Sequence, residues 1–373
     1  MSQEQIPYQQ ISAFQAVILL VHTITPTAML VIPSIAIGRA GQDAWMSILA
    51  AWACGMVFIL MYSRMIRDNP AGVPFLKFVE SRLGRVVTTI VGVLLAHYYL
   101  STLSGIIREL IEFLSDAVLL RTPMLVIGGV AVGVAVYSAI HGLEVVARVG
   151  IVVFGFSVVL FFVHIFLLVD HLHLKYLAPI GEASVNHIIG GSFPAIGWFS
   201  ESSLLLLMAP YVSRQAAIRT IGLWGMSLSA MFLLLTVIVA ILVFGPSLPG
   251  MMAYPTSSVA ETIDYDFVER MDVLFIFSWM STIYLKICMF FFGTVHCFRT
   301  VFRVQNRKPF YIAFGVLALL TGLYTWESTA DLSEYQRYAI VPFKLSMNVG
   351  LPFLLLLALW ITKKSRGREV DKR

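Results

Sequence analysis

The sequence predicts an all-α integral membrane protein, with ten transmembrane helices arranged as a five-plus-five inverted repeat. Three observations predict it. Of 373 residues, 58% are hydrophobic and 13% charged, against roughly 45–50% and 25% in soluble domains. The apolar residues fall in charge-free runs of about 20, the length that crosses a hydrocarbon core as a helix. Helix breakers also recur at equivalent places in the two halves.

The N-terminus, MSQEQIPYQQ, is polar and lacks the basic region of a signal peptide, so the first apolar segment, within 5–38, is expected to be a retained span. Asp43 and Arg64 enclose 20 uncharged residues as span two, with Asp43 as a candidate cap. Arg85 to Arg108 encloses 22 residues, span three. Arg121 to Glu144 encloses another 22, opened by the cap-and-first-position pair Thr122-Pro123. Arg148 to Asp170 encloses 21, span five. Spans six (188–211) and eight (272–298) are each interrupted by one ionisable residue, Glu201 and Lys286 respectively, and span seven is 220–245. Lys308 to Glu327 and Lys344 to Lys363 enclose 18 residues each and complete the ten. The acidic connection 246–271 carries Glu261, Asp264, Asp266 and Glu269 against Arg270. It is expected outside the membrane, with Ser257-Ser258 capping a short helix through Val268.

The chain reads as one membrane domain over 1–373, with repeat one at about 11–170, repeat two at about 188–362 and a basic tail at 363–373. An odd number of spans per half inverts one half relative to the other, as in many secondary transporters. In such folds the first helix of each half is broken and the substrate sits at the breaks. Span one carries Thr25-Pro26-Thr27, and Pro33 later; span six carries Gly190-Gly191, Pro194 and Gly197. Proline removes a helical donor and glycine weakens the helix.

The pI near 9.1 raises the possibility of a nucleic-acid partner, but the distribution of basic residues argues for orientation instead. Connections after even-numbered spans, with the tail, hold 18 Lys and Arg; those after odd-numbered spans hold 6. The positive-inside rule then puts both termini in the cytoplasm, with the tail against anionic lipid. Cys54, Cys288 and Cys297 all lie in predicted spans and imply no disulfide framework. No phosphate loop, dinucleotide fingerprint, HExxH or paired CxxC occurs, so no enzyme activity, cofactor or metal is expected.

Ionisable residues inside a membrane are costly unless paired or hydrated. Glu201 follows the span-six breakers and Lys286 lies near the middle of span eight. They read equally as a ligand-coordinating or proton-responsive pair and as a buried structural ion pair. Arg108 and Glu112, four apart near the outer end of span three, are expected to pair locally, beside Glu109. His22, His97 and His164 read as packing residues. Thr25, Pro26, Thr27, Tyr98, Gly197, Ser200 and Glu201 are the residues expected around a ligand, with Lys286 as charge partner.

Specific strings also resemble a known family. ISAFQ, AGQDAW, IIRELIEF, HGLEVVAR, FSESSLLLLMAPYV at 199–212 and YPTSSVAETIDYDFVERMDVLFIFSW at 254–279 are similar, in order and spacing, to the B subunit of nutrient germinant receptors of bacterial endospores. These spore germination permeases belong to the amino acid–polyamine–organocation superfamily. The resemblance covers nearly the whole chain, and Glu201 matches the acidic position of the family's span-six signature. It implies a leucine-transporter-like fold in the spore inner membrane, with both termini on the core side. It further implies a small nutrient ligand, such as an amino acid, and A and C partner subunits. A proton-coupled amino-acid transporter, or a water- or ion-conducting subunit, is the alternative on the same fold. Thr25-Pro26-Thr27 replaces the glycine-rich break of the superfamily. In sodium-coupled members of the fold a cation sits between spans one and eight, so Lys286 is expected to replace it with a fixed charge.

Overall fold

The structure is a computed structural model that describes residues 10–263, 271–304, 307–326 and 328–370. Its helices are α1 (Ala13–Ala40), α2 (Ala44–Arg67), α3 (Phe75–Leu83), α4 (Arg85–Ala117), α5 (Met124–His141), α6 (Leu143–Leu167), α7 (Val185–Ser200), α8 (Leu205–Met208), α9 (Ile218–Phe244), α10 (Pro255–Glu261), α11 (Met271–Phe302), α12 (Arg307–Tyr324), α13 (Thr329–Glu334), α14 (Ile340–Leu345) and α15 (Leu351–Val370). Among the described residues there is no strand, and Ile11 and Val212 meet in an isolated parallel bridge.

Seven helical stretches among the described residues are long and apolar enough to cross a membrane, against the ten expected. The difference lies in three places. The first stretch, Ala13–Arg67, holds two helices joined by one 3-10 turn at Gly41–Asp43. The expected sixth span is divided among α7, a 3-10 turn and α8, and the ninth, Lys308–Tyr324, is apolar but shorter.

α1 is the central helix, packed on α2, α6, α7, α9, α10 and α11. Its start is fixed by a capping box in which Ser12 and Gln15 exchange side-chain and backbone bonds. It runs unbroken through Pro26 and Pro33. α6 lies at the periphery: 11% of its apolar window is buried, compared with 61% for α4. Val152, Phe156, Val159, Phe162 and Phe166 of α6 are exposed, as residues facing hydrocarbon are.

The expected sixth span does break. α7 is capped by Ser184 and ends at Ser200, where the chain tightens into a 3-10 turn over Glu201–Leu204. The last helical segment breaks differently, with π turns at Tyr335–Ala339 and Ser346–Gly350. Proline has no N–H, so Pro342 and Pro352 deprive the carbonyls four residues earlier, at Tyr338 and Asn348, of helical donors. Both carbonyls fall within the π turns. The Asn348 carbonyl accepts instead from the Tyr62 hydroxyl at 2.7 Å.

Several local expectations are corrected. Asp43 does not cap α2; its buried carboxylate accepts from the backbone N–H groups of Gly181 and Ala183, each at 2.9 Å. Thr122 makes no cap bond; Pro123 is the cap position and α5 starts at Met124. α10 starts at Pro255, before the serine pair, and Asp264, Asp266, Val268, Glu269 and Arg270 lie outside the described residues. Lys344, counted above in a connection, is buried inside α14.

Candidate functional site

The 3-10 turn after α7 places Glu201 at the centre of the bundle, where it is 1% exposed. Two ammonium groups face it. Lys286 of α11 donates to Glu201 Oε2 at 2.8 Å, and Lys344 of α14 lies 2.8 Å from Oε1, paired by charge but outside hydrogen-bond geometry. Lys286 also donates to the Thr27 hydroxyl at 2.7 Å, and the Trp198 indole N–H donates to the same oxygen at 2.8 Å. Lys344 Nζ stands 3.5 Å from the centroid of the Trp198 ring, a cation–π contact. One carboxylate thus holds α7, α11 and α14 together, and Thr27 links them to α1.

Beside this cluster, Glu201, Lys344, Thr27 and Glu109 line a small polar cavity of about 20 Å³, with Thr102 and Gln336. That is room for about one water molecule. Glu109 accepts weakly from Gln336 through Oε2 at 3.4 Å, and its Oε1 has no protein partner. Arg108, one residue earlier, turns to Glu112 at 2.7 Å and to the Leu323 carbonyl at 3.1 Å, so the expected local pair forms. Tyr254, before α10, has its phenol held well above the usual tyrosine range by burial and by Glu109, Glu112 and Asp116.

A second polar cluster adjoins the first. The Asn348 amide donates to the Tyr98 hydroxyl at 2.7 Å and to Ser200 Oγ at 3.1 Å, and accepts from Ser203 at 2.6 Å. It therefore joins α4, α7 and the 3-10 turn to the second π turn.

The residues expected around one ligand divide four ways. Thr27 and Glu201 line the small cavity, with Lys286 bonded to both. Tyr98 and Ser200 meet through Asn348. Thr25 and Pro26 line a different, larger cavity on another face of α1, and the Pro26 carbonyl accepts from the Trp279 indole at 2.9 Å. Gly197 faces α14: a Cβ built there would lie 3.0 Å from Val341 Cγ1. Lys286 reaches α1 through the Thr27 hydroxyl rather than through a carbonyl. Lys344 and Asn348 are not among the residues expected at the site, and Glu109, expected only beside a local ion pair, lines the cavity with Lys344. Pro342 and Pro352, within an otherwise apolar run, were the available signal for the first two.

Among the described residues no group of three or more His, Cys, Asp or Glu is placed to hold a metal ion. A model of the spore germination protein family matches residues 10–330. The chain belongs to that family. Spore germination protein KB of Bacillus subtilis (strain 168) is 24% identical over 89% of this chain and 92% of its own length. The putative spore germination protein YfkT of the same organism is 26% identical over 90% and 91%. Two solved structures share the fold. One is Mhp1, a nucleobase-cation-symport-1 family transporter, with TM-score 0.66 and 13% identity over 95% of this chain and 80% of that one. The other is MhsT in complex with L-phenylalanine, with TM-score 0.66 and 13% identity over 96% and 99%. This spore germination permease therefore has a leucine-transporter-type fold and is a multi-pass, receptor- or transporter-like membrane protein.

Proposed function

We propose that this protein is the nutrient-sensing membrane subunit of a spore germinant receptor, and that its ligand is a small zwitterion such as an amino acid. The observation that carries the reading is the meeting of both signs of charge on one buried polar cavity: Lys344 on one side, Glu109 and Glu201 on the other. An amino acid presents a carboxylate and an ammonium a few ångströms apart. Its carboxylate would pair with Lys344, and its ammonium with the unpartnered Glu109 Oε1. The cavity of about 20 Å³ is too small for an amino acid, so binding requires α13 and α14 to move outward. That movement is the signal to A and C partner subunits, because a ligand that fits only the opened arrangement shifts the bundle toward it. The spore inner membrane is the location that fits this role, and the excess of basic residues in the even-numbered connections and the tail favours both termini on the core side. A proton-coupled amino-acid transporter is the second reading, favoured by the fold shared with MhsT, a protein solved in complex with L-phenylalanine. Catalysis forms no part of either reading.

The test is Lys344→Met in spores that rely on this subunit. Glu201 keeps Lys286, so the interior stays paired. The nutrient concentration for half-maximal germination is expected to rise at least about tenfold, equivalent to roughly 1.4 kcal/mol, with subunit abundance unchanged. An unshifted dose response sinks the assignment. Uptake of labelled amino acid into vesicles containing this protein alone would favour the transporter reading.

A further inference from the structure

One face of α4 is turned away from the bundle. Val86, Ile90 and Val93 are exposed along it at helical spacing, as residues facing hydrocarbon are. His97 continues the stripe one turn on and is exposed as well, although the sequence suggests a packing residue. Its ring meets Phe343 edge to face, with centroids 6.1 Å apart. It makes no hydrogen bond among the described residues. His97 lies 12 residues after Arg85 and 11 before Arg108, the charges that bound this span. At 1.5 Å per residue it is about 17 Å from each, close to the middle of a hydrocarbon core roughly 30 Å thick.

A neutral imidazole carries one donor and one acceptor, and lipid tails satisfy neither. Ionisable side chains within spans therefore face the bundle interior, a watery cavity or a partner group. His97 lines neither of the two cavities described above. What covers it must supply a hydrogen-bonding group at mid-bilayer, and a single segment crossing lipid at that depth is a helix. A second copy of this chain fits poorly. Two copies in one orientation are related by a two-fold axis along the membrane normal. That axis sets Arg85 toward its own counterpart at one end of the face, and the exposed Asp331 and Glu334 of α13 toward theirs at the other. A different helix can bring the opposite charge to each end.

We propose that this face of α4 docks a transmembrane helix of a partner subunit, which presents a hydroxyl, amide or carboxyl group to His97 and acidic residues to the Arg85 end. The place suits the passage of a signal. Phe343 of α14 touches His97 on the outside and, at 5.6 Å between ring centroids, Tyr98 on the inside. The next residue, Lys344, faces Glu201. An outward movement of α14 therefore disturbs the ring against which His97 rests, and with it the docked helix. The assignment rests on the receptor reading for the existence of partner subunits, but not on the identity of the nutrient.

The experiment uses spores that make the whole receptor, with Val93 of this chain replaced by a photoreactive diazirine amino acid one turn from His97. On illumination, a covalent adduct with a transmembrane segment of a partner subunit is expected, located by mass spectrometry. The same group at Val159 on the exposed face of α6 should give no adduct with that segment. Adding His97→Leu should lower the adduct yield about threefold or more, the weight of one interhelical hydrogen bond. His97→Gln, which keeps a donor and an acceptor, should restore most of it. The purified His97→Leu subunit should unfold at the same temperature or higher, since the change removes only an unpartnered ring from the lipid face. If it unfolds lower, the adduct of the chain that retains His97 decides alone. Adducts with lipid only, adducts with a second copy of this chain, or a partner adduct that a stable His97→Leu chain leaves undiminished overturn the proposal. An unshifted dose response for Lys344→Met alongside a His97-dependent adduct would remove the nutrient assignment and leave the docking face standing.

Discussion

Glu201 is the residue on which the interior depends, because it answers two buried ammonium groups with one carboxylate. Glu201→Gln keeps the shape and removes the charge, leaving Lys286 and Lys344 facing a neutral amide. Breaking a buried pair this way costs about 3–5 kcal/mol, and is expected to deplete the subunit from the membrane and lower its unfolding midpoint in detergent. Adding Lys344→Met to Glu201→Gln should recover part of that midpoint. If the double variant is no more stable than the single, charge balance is not what holds α7, α11 and α14 together. Lys286 sets a fixed positive charge against Thr27 of α1. The nutrient response is therefore expected to be the same in sodium-free and sodium-containing buffer; a germination rate that requires sodium counts against that role.

The same scale shows what a reader of the sequence sees. Glu201 and Lys286 stand out because each interrupts an apolar run. Lys344 does not, because it opens an apolar run of 18 residues and so reads as the edge of a span. Asn348 carries no charge and leaves no mark on a reading made from charges, although it bonds three side chains. Thr25 and Thr27 were grouped because a broken helix would let both face one ligand. α1 is continuous there, and two residues apart on an α-helix is about 200° of rotation, which sends them to different cavities.

Among the elements, the broken sixth segment was legible from its glycines and proline, whereas the π turns depend on contacts distant in sequence. Pro352 frees the Asn348 carbonyl, but only the fold brings Tyr62 to it. Tyr62→Phe leaves that buried carbonyl without its donor and is expected to cost about 1–3 kcal/mol, read as a lower unfolding midpoint. Gly197 acts between elements as well. A valine there meets Val341 at about 3 Å even at its Cβ, so α14 must shift and Lys344 with it. The expected penalty is about 1–3 kcal/mol, with a weakened nutrient response. A Gly197→Val variant with normal stability and normal dose response would separate the α7–α14 contact from sensing.

At the scale of the molecule, composition and charge spacing gave an all-helical membrane chain, and the family strings gave the leucine-transporter-type fold shared with Mhp1 and MhsT. Orientation is testable there. Single cysteines in the 64–85 connection and at 363–373 are expected to react with membrane-impermeant reagents only from the core side, and cysteines in 246–263 only from the opposite side. Labelling of the tail from the exterior reverses the orientation.

The carboxylate of Asp43 has a consequence for the intact molecule's susceptibility to cleavage. It joins the α1–α2 corner to the N–H groups of Gly181 and Ala183, in the exposed stretch leading to α7. Gly181 holds φ at +87° there, a conformation that needs glycine. A protease requires several residues of chain to detach and extend before it can cut, and these two bonds oppose that detachment. Asp43→Ala removes both at once. Limited trypsin digestion of the reconstituted variant should then cut at Lys175 sooner than in the parent protein, giving two fragments on a denaturing gel.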